Sequence, residues 1–79
     1  MNIVIYTQPT CADCHAAKQY FDHKGIDYTD HDVTADPDAL EELKTVVGRM
    51  ATPTIVIDDQ VFLGFAANRA ELEELVQRA

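Results

Sequence analysis

Ile3-Val4-Ile5-Tyr6 is apolar at every position and mostly β-branched, so a strand built from it needs cover on both of its faces. The period then changes. After the loop Thr7-Gln8-Pro9-Thr10, the residues Ala16, Ala17, Tyr20 and Phe21 recur at three- and four-residue spacing, which predicts one face of a helix, with Gly25 just past its end. Thr10 is the candidate N-cap and Cys11 the alternative. Ile26 and Tyr28 alternate with Asp27 and Thr29, predicting a second strand that is half-buried or at an edge. Asp36 and Pro37 supply a cap and a first-turn proline to a helix bearing Leu40, Leu43, Val46 and Val47 and closed by Gly48. Thr54-Ile55-Val56-Ile57, Asp58-Asp59-Gln60 and Val61-Phe62-Leu63 read as a hairpin. Asn68, with Glu71 three residues on, marks the start of a last helix carrying Leu72, Leu75 and Val76.

The order βαβαββα predicts an α/β fold in one domain over residues 1–79, with a four-stranded mixed sheet and helices on both faces. Its first strand-helix-strand unit should be a right-handed crossover between parallel strands. A chain of 79 residues buries a modest share of its unfolded surface, so its stability margin is thin.

Both cysteines lie in one tetrapeptide, Cys11-Ala12-Asp13-Cys14, between the first strand and the first helix. As a structural staple the pair is poor, because stabilisation by a disulfide grows with the loop it closes. Redox chemistry or metal binding remains. A helix N-terminus presents unpaired N–H groups and the positive end of the helix dipole, which favour an anion such as a thiolate. Cysteines at such ends have pKa values lowered to about 3.5–7.5 from about 8.5. Cys11, nearest the loop, is the candidate nucleophile. Cys14 shares its side of the first turn and is the candidate resolving thiol, closing a redox-active Cys11–Cys14 disulfide. For the Asp13 carboxylate, which favours the helix start and opposes a nearby thiolate, first-turn helix chemistry is the expectation.

Tyr6-Thr7-Gln8-Pro9-Thr10-Cys11-Ala12-Asp13-Cys14, then Ala51-Thr52-Pro53-Thr54 about forty residues on, then Gly64-Phe65, resembles the glutaredoxin family over essentially the whole chain. The resemblance implies a thioredoxin fold and a thiol–disulfide oxidoreductase with no bound cofactor beyond its own cysteines. It also implies that Pro53 is cis and lies against the cysteines, leaving the Thr52 backbone free to pair with an extended substrate. Thr10, Thr52, Pro53, Gly64 and Phe65 are the implied substrate-binding residues. Two departures bear on the electron donor. Gln8 stands where glutaredoxins often have a basic residue, and Gly64-Phe65-Ala66-Ala67-Asn68 replaces their Gly-Gly-x-Asp segment. In the family those positions hold the charged ends of glutathione. Gly64-Phe65 is instead similar to redoxins that serve ribonucleotide reductase and draw electrons from thioredoxin reductase and NADPH, although their neighbouring tryptophan is absent from this chain. Expected partners are therefore disulfide-containing proteins, ribonucleotide reductase among them, and a reductase or glutathione as donor.

The net charge of −8, from 14 acidic and 6 basic residues, is spread from Asp13 to Glu74 and reads as a solvated surface. Without a basic patch, nucleic acid is not an expected partner. The longest apolar runs are about five residues against the roughly 20 that span a bilayer, and no signal-peptide layout is present, so a cytoplasmic monomer is expected.

Two other readings use the same cysteines. Cys11-Ala12-Asp13-Cys14-His15 satisfies the c-type haem attachment pattern, with Met50 as a conceivable axial ligand, but the convincing strands argue against it. A metal-binding module would need His15, His23 or His31 to complete four ligands, and these are widely spaced. His15 reads as an exposed first-turn residue, Arg49 as solvated, Met50 as loop or core packing and Tyr6 as core.

Overall fold

In the computed structural model, which describes residues 2–48 and 51–78, the doubly apolar first strand sits inside the sheet. Alternation along β1 (Ile3–Thr7) sends Ile3 and Ile5 to one face and Val4 and Tyr6 to the other. On the first face, Ile3 and Ile5 pack with Ala17 and Phe21 of α1 (Ala12–His23) and Leu72 of α3 (Arg69–Arg78). Ile55 and Ile57 of β3 (Thr54–Ile57) and Phe62 of β4 (Gln60–Leu63) complete that cluster. On the second face, Tyr6 packs with Val33, Ala39 of α2 (Pro37–Glu42) and Leu43. Helices thus cover both faces, as the strand composition requires.

The sheet order is β2-β1-β3-β4, where β2 is Thr29–Asp32. β1 runs parallel to β2 and antiparallel to β3, and β3 is antiparallel to β4 across the Asp58-Asp59 turn. Because the two central strands are short and buried, their ends hold the loops that leave them in fixed positions. Those loops carry the cysteines and the Thr52-Pro53 segment.

Four local expectations are corrected. The second strand is not Ile26–Thr29 but Thr29–Asp32, paired to β1 from Val4↔Thr29 to Thr7↔Asp32. Ile26 and Tyr28 are partly buried against the first core cluster, so their alternation marks packing ahead of the ladder, while the edge strand needs only main-chain partners. Thr10 is exposed and Cys11 is the N-cap of α1. Asp36 caps α2 as expected, accepting from the Asp38 and Ala39 amides at 3.0 and 3.3 Å, but the helix widens to π geometry over Leu43–Val47. There the Thr45 hydroxyl donates to the Glu41 carbonyl at 2.9 Å, competing for a main-chain acceptor. The Asn68 side-chain amide donates backward, to the Leu63 and Gly64 carbonyls at 2.8 and 2.9 Å, and the last helix is entered through a 3₁₀ turn, Ala66–Asn68. Arg49 and Met50 lie outside the described residues.

Burial and the Glu42 carboxylate, to which the Tyr6 hydroxyl donates at 2.7 Å, push the Tyr6 pKa up to about 12. Burial and the nearby Asp22 do the same for Tyr28, also to about 12. Each group keeps its proton in the folded state at pH values where the unfolded chain has lost it, so stability is full below about pH 10 and falls as pH rises toward 12. Thermal melts of the reduced protein between pH 8 and 11.5 should show a falling Tm, and Tyr6→Phe should flatten that fall. An unchanged slope in Tyr6→Phe would contradict the assignment.

Candidate functional site

Leaving buried β1, the chain turns through Gln8–Thr10, and the Cys11 amide donates to the Gln8 carbonyl at 3.2 Å. Cys11 keeps an extended backbone (φ −91°, ψ 109°), which directs its sulfur back over the first turn of α1. The Cys14 amide donates to that sulfur at 3.1 Å. The position that Ser, Thr, Asp or Asn usually fills with an oxygen is filled here by Sγ. An N–H aimed at the sulfur is the group that solvates a thiolate when one forms.

The two thiols occupy different surroundings. Cys11 is half-buried, whereas Cys14 is 0% exposed. Burial, with the hydrogen bond and charge of Cys11 adding to it, pushes the Cys14 thiol up to about 11, and the Gln8 backbone and the Thr52 side chain beside it oppose that rise. Cys14 is therefore held as a neutral thiol around pH 7.

Three further segments meet this turn. Ahead of β3 the Thr52-Pro53 bond is cis, Pro53 is buried, and its carbonyl accepts from the Gly64 amide at 2.8 Å. Gly64 has φ +91°, a conformation that L side chains rarely adopt, and this turns the chain so that the next two amides face α1. The Asp13 carboxylate receives them: Oδ2 accepts from the Phe65 amide at 2.8 Å, and both oxygens accept from the Ala66 amide at 3.2 and 3.3 Å. Cys11, Cys14, Thr52, Pro53 and Gly64 are thus joined in one network.

Two sequence expectations are extended or changed here. Asp13 stands in the first turn of α1 as expected, and its carboxylate also ties the cysteine turn to a loop 52 residues away. Phe65, expected at the substrate-binding rim, buries its ring in the first core cluster at 2% exposure, so at this position the amide faces the site. His15 is exposed as expected, its Nε2 2.9 Å from the Pro9 carbonyl. Among the described residues, no three His, Cys, Asp or Glu side chains are grouped as a metal ion would require. A groove of about 640 Å³ runs beside Ala16, Tyr20, His23, Phe65 and Arg69 on the flank of α1, and neither cysteine lines it.

The family model for glutaredoxin matches residues 3–62. The chain belongs to the glutaredoxin family. A glutaredoxin-like 8.6 kDa protein from the rubredoxin operon of Clostridium pasteurianum is 36% identical over 76 residues, covering 96% of this chain and 99% of the relative. Among solved structures, a mutant of the thioredoxin-like protein BC3987 superposes with a TM-score of 0.87 at 33% identity, covering 96% of this chain and 95% of that one. The glutaredoxin-like NrdH-redoxin of Escherichia coli has a TM-score of 0.73 at 34% identity, covering 82% of this chain and 84% of that one. As a glutaredoxin-like protein with the thioredoxin fold, this chain is a thiol–disulfide oxidoreductase.

Sequence reasoning missed the reach of Asp13, because it depends on how the loop after β4 returns to α1. The division between the thiols can be measured. At pH 7 iodoacetamide should alkylate Cys11 well before Cys14, and in Cys11→Ala the reactivity of Cys14 should stay low and rise only as pH approaches 10 or above. Equal alkylation of both at pH 7 would contradict it.

Proposed function

We propose that this chain is a dithiol carrier that reduces protein disulfides, with Cys11 as nucleophile and Cys14 as resolving thiol, and that a flavin-dependent thioredoxin reductase recharges it in preference to glutathione. The observation that carries the assignment is the half-buried Cys11 sulfur capped by the amide of a fully buried Cys14. Only Cys11 can meet a large partner without unfolding the turn.

The chemistry balances in two exchanges. The Cys11 thiolate attacks one sulfur of the substrate disulfide, forming a mixed disulfide and releasing the other substrate sulfur as a thiolate, which takes up a proton. Cys14 then loses its proton and attacks Cys11 Sγ, breaking the mixed bond and releasing the second substrate thiol. Two electrons have passed to the substrate and a Cys11–Cys14 disulfide remains. Because Cys14 is a neutral thiol until that moment, it does not compete for the first attack. Thr52 precedes the first paired residue of β3, Thr54, so its main chain lies outside the ladder and is open to an extended substrate segment.

Donor preference rests on charge. Glutathione carries two carboxylates, which need cationic or N–H partners. Gln8 is neutral, and the net charge of −8 repels an anionic tripeptide at long range. The similarity to NrdH-redoxin, whose reported activity profile is thioredoxin-like, supports the same reading, and ribonucleotide reductase is the protein substrate that the Gly64-Phe65 resemblance favours.

In a coupled assay with insulin as acceptor, NADPH oxidation should be faster with thioredoxin reductase than with glutathione plus glutathione reductase at matched concentrations. Robust turnover with glutathione and none with thioredoxin reductase from the same source would reverse the donor assignment.

A further inference from the structure

The Asp13 carboxylate is half-buried in the first turn of α1, between the two cysteines, and accepts from two consecutive backbone amides of a distant loop. Among the described residues no Lys or Arg pairs with it. The amides converge for a backbone reason. Gly64 at φ +91° is followed by Phe65 in the right-handed region (φ −91°, ψ −53°), and successive residues of opposite hand turn their N–H groups into one concavity that receives an anion. A Cβ built on Gly64 would lie 3.9 Å from Asp13 Oδ2, which shows how closely that backbone approaches the carboxylate. Here the anion is supplied by the chain itself.

We propose that Asp13 is a specificity-determining residue: by filling the Phe65 and Ala66 amides with an internal carboxylate, it denies them to the carboxylate of an incoming thiol. A small thiol that reaches Cys11 arrives beside the turn that holds Asp13. If it carries a carboxylate, it finds the N–H pair already occupied and a like charge in front of it. A neutral thiol or an uncharged stretch of polypeptide meets neither obstacle. The favoured partner class is therefore a protein or neutral thiol, and the disfavoured class is the carboxylate-bearing monothiol.

This inference deepens the proposed function and rests on its dithiol cycle. The test uses that cycle in its simplest form. Two equivalents of a monothiol reduce the Cys11–Cys14 disulfide: the first attacks Cys11 Sγ and releases Cys14 as a thiol, and the second attacks the thiol-derived sulfur, freeing Cys11 and leaving the small disulfide. Rates would be measured with 2-mercaptoethanol, which is neutral, and with 3-mercaptopropionate, which is anionic, each corrected for its own thiolate fraction. Three proteins are compared: the natural chain, Asp13→Asn, which removes the charge but keeps an acceptor oxygen for the amides, and Asp13→Ala, which vacates them.

The readout is the ratio of the anionic rate to the neutral rate. It should rise modestly in Asp13→Asn and by a further factor of about ten in Asp13→Ala, the scale of one charge-assisted hydrogen bond gained by the thiol. Equal ratios in the two variants would mean that charge alone acts, and an unchanged ratio in both would mean that Asp13 selects nothing. Either overturns the proposal. A loosened loop would shift both thiols together and leave the ratio where it was, so a purely structural role also counts against it. Failure of the dithiol cycle would show separately, as loss of the 2-mercaptoethanol reaction in the natural chain.

Discussion

The hydrogen bond from the Cys14 amide to the Cys11 sulfur organises the rest of the structure. Helix α1 needs a cap, and this chain supplies it with the atom that does the chemistry. For the sulfur to reach the end of the helix, the chain must leave the sheet at a set height and turn once, which β1 secures by being buried on both faces. The two core clusters are thus arranged around a strand whose main task is to deliver Cys11.

The same short segment keeps its two thiols chemically distinct. Two residues separate them, yet one is half-buried and the other wholly enclosed, and burial drives the enclosed thiol toward its neutral form. The loops that meet the cysteine turn are joined to one another: the Pro53 carbonyl accepts from the Gly64 amide, and the next two amides donate to Asp13. A change at Gly64 would therefore reach the cysteine turn through the backbone and through Asp13 together. Its φ of +91° makes any side chain there strained even though a Cβ would meet only ordinary contacts.

Much of this was legible from residue order. The doubly apolar run at Ile3–Tyr6, the helical spacing of Ala17 and Phe21 and the hairpin about Asp58-Asp59 led to the observed sheet and its two covered faces. The cis Thr52-Pro53 bond came from family resemblance, since the dipeptide alone does not specify it. Where local pattern failed, tertiary contacts had taken over the residue concerned. Ile26 and Tyr28 look like a strand because they pack on the core, and Asn68 looks like a cap because its amide is needed at the end of β4. Asp13 sits in a first helical turn, where acidic residues are ordinary, and nothing in its neighbours announces a partner 52 residues away.

Covalent capture distinguishes the thiol that attacks, Cys11, from the thiol that resolves, Cys14. Cys14→Ser and Cys11→Ser variants would each be reduced, mixed with a disulfide-containing protein, quenched with acid and mapped by mass spectrometry of the mixed-disulfide peptides. Cys14→Ser should accumulate a stable adduct through Cys11, because the resolving thiol is gone, while Cys11→Ser should form almost none. An adduct that accumulates through Cys14 in the Cys11→Ser protein, with none on Cys11 in the other variant, would contradict it.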